Sequence, residues 1–161
     1  MKLSDVVSEL HNARAAHKAW VAHAEALVAG MPLEKKQSPI LPTDCTFGQW
    51  YYGPGQMLRR LPAYKALEKP HDKLHQTYMK IFKLLFEEPD ISALGRLFGQ
   101  AKKAKAAHVK EAELLIPALR DLSDEVCGVL ENLEIQVMSA ARKEDLRKTT
   151  ESMQITQDSE A

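Results

Sequence analysis

Among the side chains able to bind a soft metal or act as nucleophiles, one cysteine and three histidines stand in a pattern that points to chemistry. Cys45 lies in Thr43-Asp44-Cys45-Thr46-Phe47-Gly48-Gln49-Trp50-Tyr51-Tyr52, behind two good N-cap residues and ahead of an aromatic run. That setting predicts a thiol in the first turn of a short helix facing a core. The partial positive charge of a helix N-terminus favours a thiolate, and so a nucleophile or ligand over an inert packing group. His71 and His75 stand at i and i+4, one turn apart on one helix face, which is a chelating geometry. His17, upstream in His17-Lys18-Ala19-Trp20, adds a third imidazole. One thiolate and three imidazoles make a tetrahedral zinc set.

The elements that must carry these residues read as helices. From Ser4 to Ala29 apolar positions recur at heptad spacing, with Leu3, Leu10, His17 and Ala24 on one row and Val6, Ala13, Trp20 and Leu27 on the other. His17 thus occupies a core-facing slot, while His11 and His23 fall off the stripe and read as surface residues. Gly30 and Pro32 stop this helix, and Pro32, Pro39 and Pro42 make residues 31–44 an ordered crossover. The helix after Cys45 ends at Gly53-Pro54-Gly55, and Pro62 opens a short helical piece through Leu67. Pro70 is predicted at the first position of the next helix, whose inward stripe is His71, Leu74, His75, Tyr78, Ile81, Phe82 and Leu85. Both histidines point where the leucines and aromatics point. Taken singly, His17 also reads as a core histidine bonded to a carbonyl or carboxylate, and Cys45 as a small buried hydrophobe. The conjunction of four favours a metal. Trp20, Phe47 and Trp50 are expected to wall the site.

After Pro89-Asp90 a helical pattern runs from Ile91 to Lys148. Leu94, Ala101, His108, Leu115, Leu122 and Val129 form one row; Phe98, Ala112, Leu119, Val126 and Leu133 form the other. Pro117 should kink or break it, and residues 149–161, polar and unpatterned, should be disordered. His108 lies on the stripe as a fifth candidate, expected to pack or to support the site from behind. The fold class is therefore all-α, a four-helix-bundle-like zinc-binding domain over residues 1–118, a helical extension over 119–148 for dimerisation or partner contact, and a tail over 149–161.

Composition narrows the function classes. Lys and Arg number 22 against 22 Asp and Glu, and no basic block is long enough to track a phosphate backbone, which argues against nucleic acid. The N-terminal stretch has no signal-peptide core and no apolar run approaches the roughly 20 residues a spanning helix needs. A cytoplasmic, soluble protein is expected, and with only Cys45 and Cys127 present a structural disulfide is not.

The residues His17-x-x-Trp20, Cys45-x-Phe47-Gly48-x-Trp50, Leu61-Pro62-x-Tyr64 and His71-x-x-x-His75, in this order, resemble the chemoreceptor zinc-binding family, often called CZB domains, over roughly residues 8–118. The resemblance implies a helical bundle holding zinc through three histidines and a cysteine, roles that fall on His17, Cys45, His71 and His75. It further implies a homodimer and a cytoplasmic sensor of zinc or of oxidants such as hypochlorous acid, coupled to a chemoreceptor or a cyclic-di-GMP system. Members are usually attached to signalling hairpins or cyclase domains; here one more helix and a tail follow, so a stand-alone member is expected.

A site closed by four protein ligands lacks the open position that hydrolysis needs, so regulation is expected and enzyme activity is not. Oxidation of Cys45, the soft ligand, would weaken its hold and free the first helices to repack. The rival readings are a structural-zinc adaptor, a three-histidine zinc hydrolase with Cys45 incidental, and a carboxylate-bridged di-iron bundle. The last needs inward Glu and Asp residues that the apolar rows do not offer.

Overall fold

Apolar residues three and four apart along the chain decide the architecture, because each such stripe must find a partner face. The computed structural model describes residues 3–31, 41–90, 92 and 99–159, with side chains through Glu151, and among them every regular element is helical. Helix α1 spans Leu3–Val28, α2 Thr46–Tyr52, a 3-10 turn Pro54–Leu58, α3 Pro62–Ala66, α4 Glu68–Phe86 and α5 Gln100–Ser159. Most of the expected crossover and the expected start of the last helix, with Leu94 and Phe98, lie outside the described residues.

Helix α1 buries Val6, Leu10, Ala13, His17, Val21, Ala24 and Leu27, steps of three and four that keep one face on the core. It ends in a Schellman turn: Met31 N–H donates to Ala26 O and Gly30 N–H to Leu27 O, at 3.0 Å each, with Gly30 at φ 79°. That conformation is one a glycine adopts without penalty. Helix α4 begins at Glu68, so Pro70 is its third residue and not its first, still within the turn whose N–H groups have no partner inside the helix. Its buried face, His71, Leu74, His75, Tyr78 and Ile81, matches the stripe read from the sequence.

Helix α5 is the spine against which α1, α3 and α4 pack. Its buried seam is Ala112, Ile116, Leu119, Ser123, Val126, Leu130, Leu133 and Val137, a strict alternation of four and three, with Cys127 buried beside it. One row agrees with the sequence reading; the other is displaced by one position, because Leu115, Leu122 and Val129 only flank the seam. The true second row contains Ser123, whose hydroxyl masks the pattern in an apolar count. Three features of this region go beyond its apolar pattern. Of the kink or break expected at Pro117, the break does not occur, and the helix continues through it. Past residue 118, Leu119, Val126, Leu130, Leu133 and Val137 belong to the same core as Leu10, Leu74 and Tyr78. Residues 149–159, expected to be disordered, continue the helix. Arg147 there pairs with Glu144 and Glu151, and the Thr149 and Thr150 hydroxyls return to the carbonyls four residues back, so polar side chains are satisfied within the helix.

The two short helices complete the bundle by specific side-chain locks. Tyr51 and Tyr64 stack with ring centroids 4.4 Å apart, and each hydroxyl donates to the other's backbone carbonyl. This couples α2 to α3. Helix α3 has no capping side chain of its own; Gln136 on α5 supplies one, accepting the Ala63 N–H at 3.2 Å. At the surface, Arg14 on α1 bridges Glu131 and Glu134 on α5, contacts that set register more than stability.

Because α5 completes the core, Leu133→Ala should cost about 2–5 kcal/mol of unfolding free energy, whereas Leu146→Ala, on the exposed stretch past Val137, should stay within about 0.5 kcal/mol. Urea denaturation followed by circular dichroism measures both; equal, small effects would restore the expected boundary near residue 118.

Candidate metal centre

Three helices deliver four donor side chains to one point. His17 comes from the buried face of α1, His71 and His75 from successive turns of α4, and Cys45 from the residue immediately before α2. One ligand atom from each lies within 4.8 Å of every other. The Cys45 Sγ is 3.3 Å from His71 Nε2, and His71 Nε2 is 3.1 Å from His75 Nε2. A tetrahedron with the usual zinc bond lengths has N···N and S···N edges of about 3.3 and 3.6 Å. The donor number, types and spacing therefore fit one zinc ion.

Each donor is oriented by its surroundings. His17 Nδ1 donates to the Ala13 carbonyl at 2.8 Å, which fixes the tautomer and leaves Nε2 with the free lone pair. The core-histidine reading and the ligand reading thus describe the same side chain. Phe47 stands edge-on to His17 and His71, at centroid distances of 5.4 and 4.9 Å, and Trp20 lies 4.5 Å from His75 while stacking on Tyr78 at 4.2 Å. Trp20 and Phe47 thus pack against the donor rings. Trp50 sits one layer behind, against Phe47 at 5.9 Å, so its part in the wall is indirect.

Cys45 departs from the sequence expectation in two respects. It is the N-cap of α2, in extended conformation (φ −74°, ψ 152°), and its Sγ accepts the Gly48 N–H at 3.1 Å. A cap can thus be the thiol itself, ahead of the first turn. Burial pushes the thiol pKa up despite the backbone N–H groups of Gly48 and Phe47, so the helix end alone does not deliver a thiolate. A bound cation would.

The motif glycine acquires a reason here that the sequence did not disclose. A Cβ on Gly48 would collide with the Pro42 carbonyl oxygen, the same oxygen that faces Cys45 Sγ at 3.3 Å. The backbone ahead of the cysteine folds onto α2 only because residue 48 has no side chain.

The other candidates stand apart. Among the described residues, His11 is exposed beside Glu134 at 3.1 Å, His23 and His108 lie outside the donor cluster, and Cys127 is buried on α5.

Residues 17–82 match the model of the chemoreceptor zinc-binding domain, a span that opens on His17 and includes Cys45, His71 and His75. Over that span the chain is similar to the chemoreceptor zinc-binding domain. No curated protein and no solved structure matches the chain. The matched span stops at Phe82, so α5 lies outside it while forming much of the wall against which the domain's α1 and α4 pack. No described helix is long and apolar enough to cross a membrane.

Burial, reinforced by His75 and His17, lowers the His71 pKa to about 3, and burial also lowers that of His17. Both stay neutral in the fold but protonate near 6.5 when unfolded, so the unfolded chain binds more protons below that pH. The metal-free protein should then be fully stable above pH 6.5 and weaken as pH falls. His71 alone accounts for about 1.4 kcal/mol between pH 7.5 and 5.5. Urea midpoints in chelator at the two pH values test this; a profile unchanged in His71→Leu would contradict it.

Proposed function

We propose that this protein is a zinc-dependent sensor and regulator, with His17, Cys45, His71 and His75 as ligands and Cys45 as the responsive group. The observation that carries the reading is the convergence of exactly these donor types, one from each of α1 and the α2 cap and two from α4, within 4.8 Å. Bound there, zinc supplies a closed cross-link between helices, with no open coordination position for catalysis. This argues for regulation and against an enzyme.

What the chain's own residues do follows from their placement. The imidazoles of His17 and His71, disfavoured as cations by burial, offer lone pairs without first losing a proton, and the Cys45 thiol gives up its proton on ligation. An electrophilic oxidant acts on Cys45 Sγ: the thiolate takes oxygen from hypochlorous acid, sulfur is oxidised by two electrons to sulfenic acid, and chloride leaves. Because the same sulfur accepts the Gly48 N–H, its oxidation disturbs the start of α2 as well as the donor set. Tyr51 and Tyr64 then pass any shift of α2 to α3, and Gln136 passes it to α5. Cys127, buried with its thiol pKa raised, is the unreactive cysteine.

The reading includes a cytoplasmic location and a homodimer that acts on a chemoreceptor or cyclic-di-GMP partner in signal transduction or chemotaxis. Exposed Ile135, Met138 and Leu146 on α5 support an assembly through that helix. A structural-zinc adaptor would share the site but not the response.

Purified protein should contain about one zinc per chain, and Ala at any of the four ligand positions should lower retention at least ~10-fold, with His11→Ala unaffected. Full retention in the His71→Ala, His75→Ala double variant would falsify the site. Brief substoichiometric hypochlorous acid should modify Cys45 before Cys127 by mass spectrometry; modification confined to Cys127 or methionines leaves only the adaptor. Light scattering at tens of micromolar should give twice the 18.1 kDa chain mass, and the monomer mass would exclude the dimer.

A further inference from the structure

A cavity of ≈ 300 Å³ opens between α1 and the start of α2 and ends on the donor cluster. His17, Cys45 and His75 face it; His71 does not, being closed off behind them. Its α1 side is formed by Ala16, Ala19, Trp20 and His23, one helical face at steps of three, one and three. Ala16 and Ala19 are exposed at the mouth, whereas Trp20 reaches inward onto His75. Across from them, Thr46 is exposed and Phe47 is buried. On their other sides, among the described residues, the donors meet Phe47 edge-on to His71, the Ala13 carbonyl behind His17 and the Pro42 carbonyl beside Cys45.

We propose that this cavity is the channel by which small reagents reach the centre, with Ala16 and Ala19 as the residues that determine what passes. The inference rests on the reading of the four side chains as ligands. Its physical basis is shape: a buried donor set reacts at the rate at which a reagent can touch it, and two methyl side chains leave the mouth open where any larger residue on the same helix face would close it. The aromatic wall of Trp20 and Phe47 makes the inner half apolar, which suits small neutral oxidants and compact chelators and excludes folded proteins. The order of disassembly follows, since Cys45, His17 and His75 are approached from the channel and His71 is reached last.

The test is the double variant Ala16→Leu, Ala19→Leu, with Ala15→Leu, exposed and off the channel, as control. Leucine is nearly as good a helix former as alanine, so α1 should be preserved. Two rates are read: zinc transfer from the loaded protein to 4-(2-pyridylazo)resorcinol, and alkylation of Cys45 by iodoacetamide in metal-free protein. The channel predicts both slowed by ~10-fold or more, equivalent to about 1.4 kcal/mol of added barrier, with the zinc-to-chain ratio unchanged and the control like wild type. Wild-type rates in the double variant would overturn it and assign access to local opening of the helices. If the wild-type protein held no zinc, the reading of the ligands would fail separately, and alkylation of Cys45 in the same pair of proteins would still decide the channel.

Discussion

The centre depends on one constraint: four donor side chains are gathered in an apolar, aromatic box, with one ligand atom of each within 4.8 Å of the others. His71 Nε2 faces both Cys45 Sγ and His75 Nε2 within hydrogen-bond distance, yet a neutral ring nitrogen either carries one proton or accepts one. A single cation of the right softness satisfies all of them together. The helices hold the donors close because Leu10, Leu74 and Tyr78 on α1 and α4, and Leu119, Val126 and Leu130 on α5, are fully buried around them.

Cys45 joins this centre to the rest of the chain. As N-cap it defines where α2 starts, and as donor it faces His71, so one sulfur atom belongs to a secondary-structure boundary and to a metal site. From there rigid contacts lead outward: Phe47 onto the imidazoles, the reciprocal tyrosine pair between α2 and α3, and Gln136 of α5 capping α3. These contacts connect the sulfur to α5, the helix that runs beyond the core, and are the route the proposed response would take.

Much of this was legible from residue types and spacing. His71 and His75 share a stripe with Leu74 and Tyr78, and His17 stands between Leu10 and Ala24, so period alone put three imidazoles inside. What escaped was non-local or unusual. A cysteine as N-cap is outside the ordinary Ser, Thr, Asp and Asn vocabulary, and the burial that opposes its ionisation is a tertiary effect. Gly48 owes its identity to Pro42, which folds back onto it; nothing adjacent in sequence announces that approach. Ser123 interrupts the α5 seam in an apolar count, which displaced one row and concealed that the core extends to Val137. The helical course of residues 149–159 relies on ion pairs and hydroxyl bonds that a hydrophobic pattern does not register.

The central claim is that one metal ion is held by a single sulfur and three imidazoles. X-ray absorption at the zinc edge of the purified protein reads that shell directly. The account predicts one sulfur at about 2.3 Å and three nitrogens at about 2.0–2.1 Å, with imidazole multiple scattering and no bound water. A shell of nitrogen and oxygen without sulfur, or one expanded beyond four ligands, would contradict it.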